Sequence, residues 1–264
     1  MTTTQLPSSP STEVSAPEAS RPGRGRRAAV ALTGLLACAL PTSFAVSITA
    51  MLVTGTEADH RFHQLTGQGL LLALLWLGAL VPMVRAGWRG ERPSTAAGYR
   101  HLAFAGVGLV AAAVSAGGGA RSLMVIVTLT GALVWAALPL RPRLRARVSL
   151  DPFLTPLALV LAAVLVPYAV DQLQQQLATT TGYHVQNPHL FDMAWVTLVL
   201  TVLAVLGAIV PRVRGLFAWV GGGCALIGSA GLVLNESVAW SVTVLGLGAL
   251  ALVLPRLGLS RNPA

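Results

Sequence analysis

Long apolar runs separated by short polar segments set the pattern of this chain. The first runs from Ala28 to about Thr54. Seven more follow at about 65–85, 101–118, 122–140, 153–170, 191–211, 215–234 and 237–255. Roughly 20 apolar residues are needed for a helix to cross a bilayer. Only helices and closed barrels satisfy their own backbone in lipid, and runs this long and uniformly apolar predict helices. The expectation is an all-α integral membrane protein with eight transmembrane helices. For the first run, a signal peptide is the rival reading, because Leu35-Leu36-Ala37-Cys38 resembles a lipoprotein cleavage box. The apolar stretch continues well past Cys38, whereas a signal core spans about 7–15 residues, so an uncleaved first helix is expected.

The second and sixth runs repeat one another. His60–Arg85 reads HRFHQLTGQGLLLALLWLGALVPMVR, and His189–Arg214 reads HLFDMAWVTLVLTVLAVLGAIVPRVR. Without a gap, His60 falls on His189, Phe62 on Phe191, Val81-Pro82 on Val210-Pro211 and Val84-Arg85 on Val213-Arg214. Leu and Val matches are cheap in apolar helices; the rarer residues at both ends point to duplication. The expected architecture is two duplicated four-helix halves, spans 1–4 and 5–8, related by a pseudo-two-fold axis along the membrane normal, as in parallel transporter repeats. The corresponding divisions are a disordered tail at 1–27, a first half at 28–140, a basic linker at 141–150, a second half at 151–257 and a tail at 258–264. Spans 3 and 7 both carry small residues four apart, Gly108, Ala112, Ala116 and Gly221, Ala225, Ser229. That spacing lets helix backbones approach closely. Pro41, Pro156 and Pro167 are expected to kink spans 1 and 5.

Composition agrees. The chain is 54% hydrophobic and 10% charged, against about 25% charged in a soluble domain. Its net charge of +9 would suit nucleic acid, but the basic residues are all arginines and sit in the connections between apolar runs. They set orientation instead. Arg61 and Arg121 lie on one side and all the other arginines on the opposite one. Both termini are therefore expected in the cytoplasm, with the protein multi-pass in the plasma membrane and no nucleic-acid partner. Cys38 and Cys224 lie inside apolar runs, which argues against a disulfide framework.

The middle of each span holds no Asp, Glu, Arg or His, which argues against a charged midplane site for ion coupling. The titratable groups gather on the outer side instead. His60, His63, His184 and His189 lie there, with Glu57, Asp59, Asp171, Asp192 and Glu236. His60 and His63 are three apart, as are His189 and Asp192, and residues three apart share a helix face. If spans 2 and 6 meet, three imidazoles and a carboxylate come together. Such a set suits zinc, copper, iron or another transition metal. His184 is a possible further ligand, and Glu57 and Glu236 are candidate catalytic groups or outer partners of the ligands. Helix capping is the bland alternative: Asn187-Pro188 reads as a cap followed by a first-turn proline, and Asp59 would cap span 2. His101, beside Tyr99 and Arg100, reads as an interfacial anchor at the start of span 3.

Glu57-Ala58-Asp59-His60-Arg61 resembles the Glu-x-x-His-Arg stretch that opens the second helix of heme A synthases, which are also eight-helix proteins with duplicated four-helix halves. The resemblance implies heme ligation by His60 and an outward catalytic Glu57. The chain departs from that family in having no histidine on spans 4 and 8, in following His189 with Leu190, and in lacking a long cysteine-bearing first outer loop. Three functions remain open from the residues. One is a membrane metalloenzyme, oxidoreductase or metal-handling factor with a site at the outer ends of spans 2 and 6. The second is a permease or exporter for a neutral or amphipathic compound. The third is a non-catalytic subunit of an envelope complex. Partners would be the bilayer, a lipid or small-molecule substrate, and a second copy or complex subunits. No nucleotide-binding loop, nucleophile elbow or redox cysteine pair occurs.

Overall fold

Uniformly apolar runs become helices because the helix alone pairs its backbone within one segment. The computed structural model describes residues 23–55, 60–115, 118–144, 147–181, 185, 187–234 and 236–257. The helices are α1 (Arg24–Thr54), α2 (Arg61–Leu65), α3 (Leu70–Arg89), α4 (Thr95–Val114), α5 (Gly118–Ala137), α6 (Leu154–Ala178), α7 (His189–Ile209), α8 (Leu216–Val233) and α9 (Val238–Val253). Short 3-10 turns follow α7 at Pro211–Val213 and α9 at Leu254–Arg256. No strand occurs among the described residues. Among the described residues, eight helical segments are long and apolar enough to cross a membrane, with α2 and α3 counted as one. Their outward faces carry large apolar side chains such as Leu35, Val110, Leu129, Leu159 and Val242. So much exposed apolar surface suits a lipid environment.

Two rings of four spans stand side by side. In the first, α1 packs on α3 and α5, and α4 packs on the same two. In the second, α7 packs on α6 and α8, and α9 packs on α8 and α6. Between the rings, α4 meets α7, α2 and α3 meet α8, and α3 meets α7. The ring-to-ring seam is filled with aromatics. Trp195 of α7 lies against Phe104 of α4 with centroids 4.4 Å apart, and its indole N–H donates to the Phe104 carbonyl at 2.8 Å. Gly108 makes room for this, since a Cβ there would lie 2.6 Å from the Trp195 ring and from the Met124 sulfur. Arg100 lies over the Trp219 ring of α8 at 4.6 Å, a cation–π contact across the same seam.

Small residues also hold α8 to α9. A Cβ on Gly248 would sit 2.9 Å from Ala225 N and 3.0 Å from Gly221 O, so the two backbones touch. Of the span 7 stripe, Gly221 and Ala225 therefore serve close approach. The third member of the span 3 stripe, Ala116, lies outside the described residues.

The basic linker is strapped to both rings. Arg92 donates to the Arg141 carbonyl at 2.7 Å, Thr95 to the Arg143 carbonyl at 3.0 Å, and Tyr99 to the Leu144 carbonyl. Farther on, Ser149 N–H donates to the Ile209 carbonyl at 2.8 Å. Asp151 then does two jobs. Its Oδ1 accepts from the N–H groups of Phe153 and Leu154, both at 3.0 Å, which caps α6, and its Oδ2 pairs with Arg214 at 2.7 Å.

Three expectations are corrected. Span 2 is not one helix: it breaks at Thr66–Gly69, between α2 and α3. His101 is not an interfacial anchor. It is buried within α4, accepts from the Trp135 indole N–H at 3.0 Å, and fills the space that Gly131 leaves. Its position near a polar loop hid a tertiary hydrogen bond. Asn187 makes no side-chain cap; α7 starts after Pro188, and the His189 N–H donates to the Asn187 carbonyl at 2.9 Å. Pro41 and Pro167 lie inside α1 and α6, while Pro156 falls in the first turn of α6, where its missing N–H costs nothing.

Asp151→Ala removes a buried charge partner and a cap together, and is expected to destabilise the protein by about 3 kcal/mol in a thermal melt followed by circular dichroism. Gly248→Leu should cost about 1–3 kcal/mol through overpacking. Gly246→Leu, where a Cβ meets nothing within 4 Å, should stay within about 0.5 kcal/mol in the same melt.

Candidate functional site

The break in span 2 creates the site. A Cβ on Gly69 would overlap the Gln64 carbonyl, and a Cβ on Gly67 would lie 2.8 Å from the Met193 backbone nitrogen. Two glycines therefore let the chain turn sharply and press onto α7. The Thr66 hydroxyl reaches the Met193 sulfur at 2.9 Å and the Phe62 carbonyl at 2.6 Å. Backbone groups in the turn are paired inside the protein: Thr66 N–H donates to Phe62 at 3.1 Å and Gln68 N–H to His63 at 2.9 Å. Non-helical backbone at such depth is tolerated only where protein covers it, and Thr66, Gly67 and Gly69 are all buried.

Set free from α3, the short α2 and its N-cap residue His60 lay two histidines against α7. The His60 and His189 rings meet edge to face with centroids 5.6 Å apart, and the His63 and His189 centroids are 5.9 Å apart. His189 is 1% exposed and Asp192, on the next turn, 3%. The expected meeting of spans 2 and 6 therefore brings His60, His63 and His189 together, with Asp192 on the helix face of His189. Asp192 Oδ1 is buried and has no hydrogen-bond partner among the described residues. A carboxyl in a first helical turn gains from the helix dipole, but an unpartnered buried oxygen costs roughly 1–3 kcal/mol. It marks a place where a donor belongs.

Glutamines complete the surroundings, and residue-type reasoning missed them. Gln176 of α6 is 1% exposed, and its Oε1 accepts from the Phe191 N–H at 3.4 Å, in the first turn of α7. Gln172, one turn earlier on the same face, is buried with Oε1 unpartnered among the described residues. Gln64 of α2 is buried too. Glutamines buried on otherwise apolar helices were the available signal, since a buried amide must find partners. Below the site the path closes: Phe191, Trp195, Phe104 and Trp76 form a continuous aromatic chain.

Glu57, Asp59 and His184 lie outside the described residues. Glu236 is exposed at the start of α9, its N–H bonded to the Gly231 carbonyl at 2.9 Å. Among the described residues, no group of three or more His, Cys, Asp or Glu is arranged to hold a metal ion. Cys38 and Cys224 are free thiols on different rings. Comparison with protein families, with curated proteins and with solved structures finds no match to this chain.

Asp192→Leu separates a capping role from a ligand-binding one. If Asp192 only serves its helix end, the variant loses about 0.5–1 kcal/mol. The expected outcome is the reverse, a melting temperature equal to or above the wild type, because an unpartnered buried acceptor is replaced by apolar volume.

Proposed function

We propose that this chain is a multi-pass membrane protein that binds the polar end of a small amphipathic molecule at the histidine-bearing ends of α2 and α7. The observation that carries this reading is the buried Asp192 oxygen that has no partner among the described residues, one turn from His189, against which His60 and His63 close. A carboxyl oxygen such as Asp192 Oδ1 accepts hydrogen bonds, and a neutral imidazole both donates and accepts. The group that completes such a site is a hydrogen-bond donor, a hydroxyl or an amine. The aromatic chain beneath the site favours entry from the histidine end over an open path between the two ends. The arginine distribution supports an orientation with that end outside the cytoplasm and both termini inside. The two rings, each closed by the same order of neighbours, and the repeated His-x-Phe and Val-Pro-x-Val-Arg motifs support descent from one duplicated four-helix unit. Asp192 in place of a second histidine then specialises one half of the shared site.

Three imidazoles in contact also support a second reading, a transition-metal or heme centre, in which residues such as Glu57 or His184 would have to complete the ligand set. The donor set now described does not by itself fit a metal.

The two readings separate in lipid nanodiscs. Hexanol and hexylamine should raise the melting temperature of the wild type, whereas the methyl ether of hexanol, which has no proton to donate, should not. His189→Phe and Asp192→Leu should abolish the response. An equal response in both variants overturns the proposal. So does zinc, copper, iron or heme found in stoichiometric amount in the wild type and lost from His189→Phe.

A further inference from the structure

A groove of about 300 Å³ lies between α1 and α3, lined by Ala31 and Cys38 of α1 and by Val81, Val84, Arg85 and Trp88 of α3. Positions 31 and 38 are about two helical turns apart, as are 81 and 88, so each helix gives the groove one face over about 10 Å. Its floor is a close helix contact. Gly34 of α1 has no side chain, and a Cβ there would lie 2.5 Å from Val84. The side facing away from the bundle is open, with Val81 47% and Trp88 50% exposed. The two ends of the groove differ. Toward the middle of the helices it is hydrocarbon and a thiol, Val81 and Cys38. Toward the arginine end it holds Arg85 and Trp88, and α3 closes with Arg89. The cation is therefore part of the groove wall itself.

No acid neutralises this end. Among the described residues, no carboxylate pairs with Arg85, with Arg89 one turn further along α3, or with Arg27, one turn before Ala31 on α1. The Arg27 Nε is buried without a hydrogen-bond partner among the described residues. Neighbouring polar groups are committed elsewhere: Arg26 donates to the Ala136 and Leu138 carbonyls, and Asp151 pairs with Arg214 in the second ring. Glu91 follows α3 but is exposed and makes no ion pair. Three guanidinium groups thus stand at one end of an apolar slot.

We propose that the groove is a binding site for an anionic phospholipid, whose phosphate lies on Arg85 and whose acyl chain runs past Val84 and Val81 toward Cys38. Charge complementarity selects this occupant. Basic pockets between membrane helices at the arginine-rich end suit anionic head groups, and a guanidinium pairs with phosphate through two parallel hydrogen bonds. A free phosphate would leave the apolar slot unfilled, and a zwitterionic lipid would bring a second cation to a site that already has three. The slot takes the first part of a chain, and the rest continues into the bilayer. This inference depends on the chain being a membrane protein and is independent of the histidine site.

The test is native mass spectrometry of the full-length protein in mild detergent with equal amounts of dioleoyl phosphatidylglycerol and dioleoyl phosphatidylcholine. The wild type should retain the anionic lipid over the zwitterionic one. Arg85→Gln should cut the retained phosphatidylglycerol about fivefold, the factor that one arginine near a membrane surface supplies. Ala31→Phe fills the groove while leaving every charge in place, and should cut it as well. Arg256→Gln, an exposed arginine at the same end of the second ring, should leave it unchanged. Phosphatidylglycerol carrying a diazirine in its acyl chain should label residues 31–38 and 81–88. Equal retention of the two lipids, equal effects of Arg85→Gln and Arg256→Gln, or no effect of Ala31→Phe would each overturn the proposal. So would displacement of the lipid by inorganic phosphate, label spread over all the helices, or a crosslink to a second copy of the chain in the groove. Failure of the membrane reading shows separately, as a chain that stays dissolved and monomeric without detergent.

Discussion

The seat of the Thr66–Gly69 turn on the second turn of α7 is the contact on which the site depends. It exists because Gly67 and Gly69 have no side chains. With a Cβ at either position, the turn meets the Met193 backbone or the Gln64 carbonyl. The contact has three results. It detaches α2 from α3, so that His60 and His63 face His189 instead of continuing the line of the span. It draws the first ring against the second beside Asp192. It also covers the non-helical backbone that a break in an apolar helix would otherwise expose.

The two ends of the bundle do different physical work. At the arginine end, polar groups cap a helix and fix the linker. Asp151 caps α6 and pairs with Arg214, Arg92 and Thr95 tie down the linker, and Tyr99 joins them. At the histidine end, Asp192 and Gln172 keep buried oxygens without partners among the described residues. Proteins break the rule of matched polar groups mainly where function asks for it. The aromatic seam of Phe191, Trp195, Phe104 and Trp76 sits between the two ends and gives the site a solid floor.

Much of this was legible in the residues. Eight spans follow from run length alone, because in lipid an apolar stretch of sufficient length has no alternative to the helix. The matching of His60 with His189 in the two repeated motifs, and the three-residue spacings, were enough to expect the meeting of His60, His63 and His189. Other features were not legible because they depend on what lies opposite. Glycine in a membrane span reads as a packing residue, and nothing in Gln64-Leu65-Thr66-Gly67-Gln68-Gly69 says that the helix must stop there. His101 follows Tyr99 and Arg100 in a stretch that reads as an interface; only Trp135 and Gly131, on another helix, make it a buried acceptor. Gln172 and Gln176 look like surface residues near a helix end until α7 covers them. Hydrophobic pattern thus determined the helices, and the rare residues at their ends marked the candidate site. Which polar groups are satisfied was decided by the tertiary structure alone, because satisfaction is a property of neighbours brought together by packing.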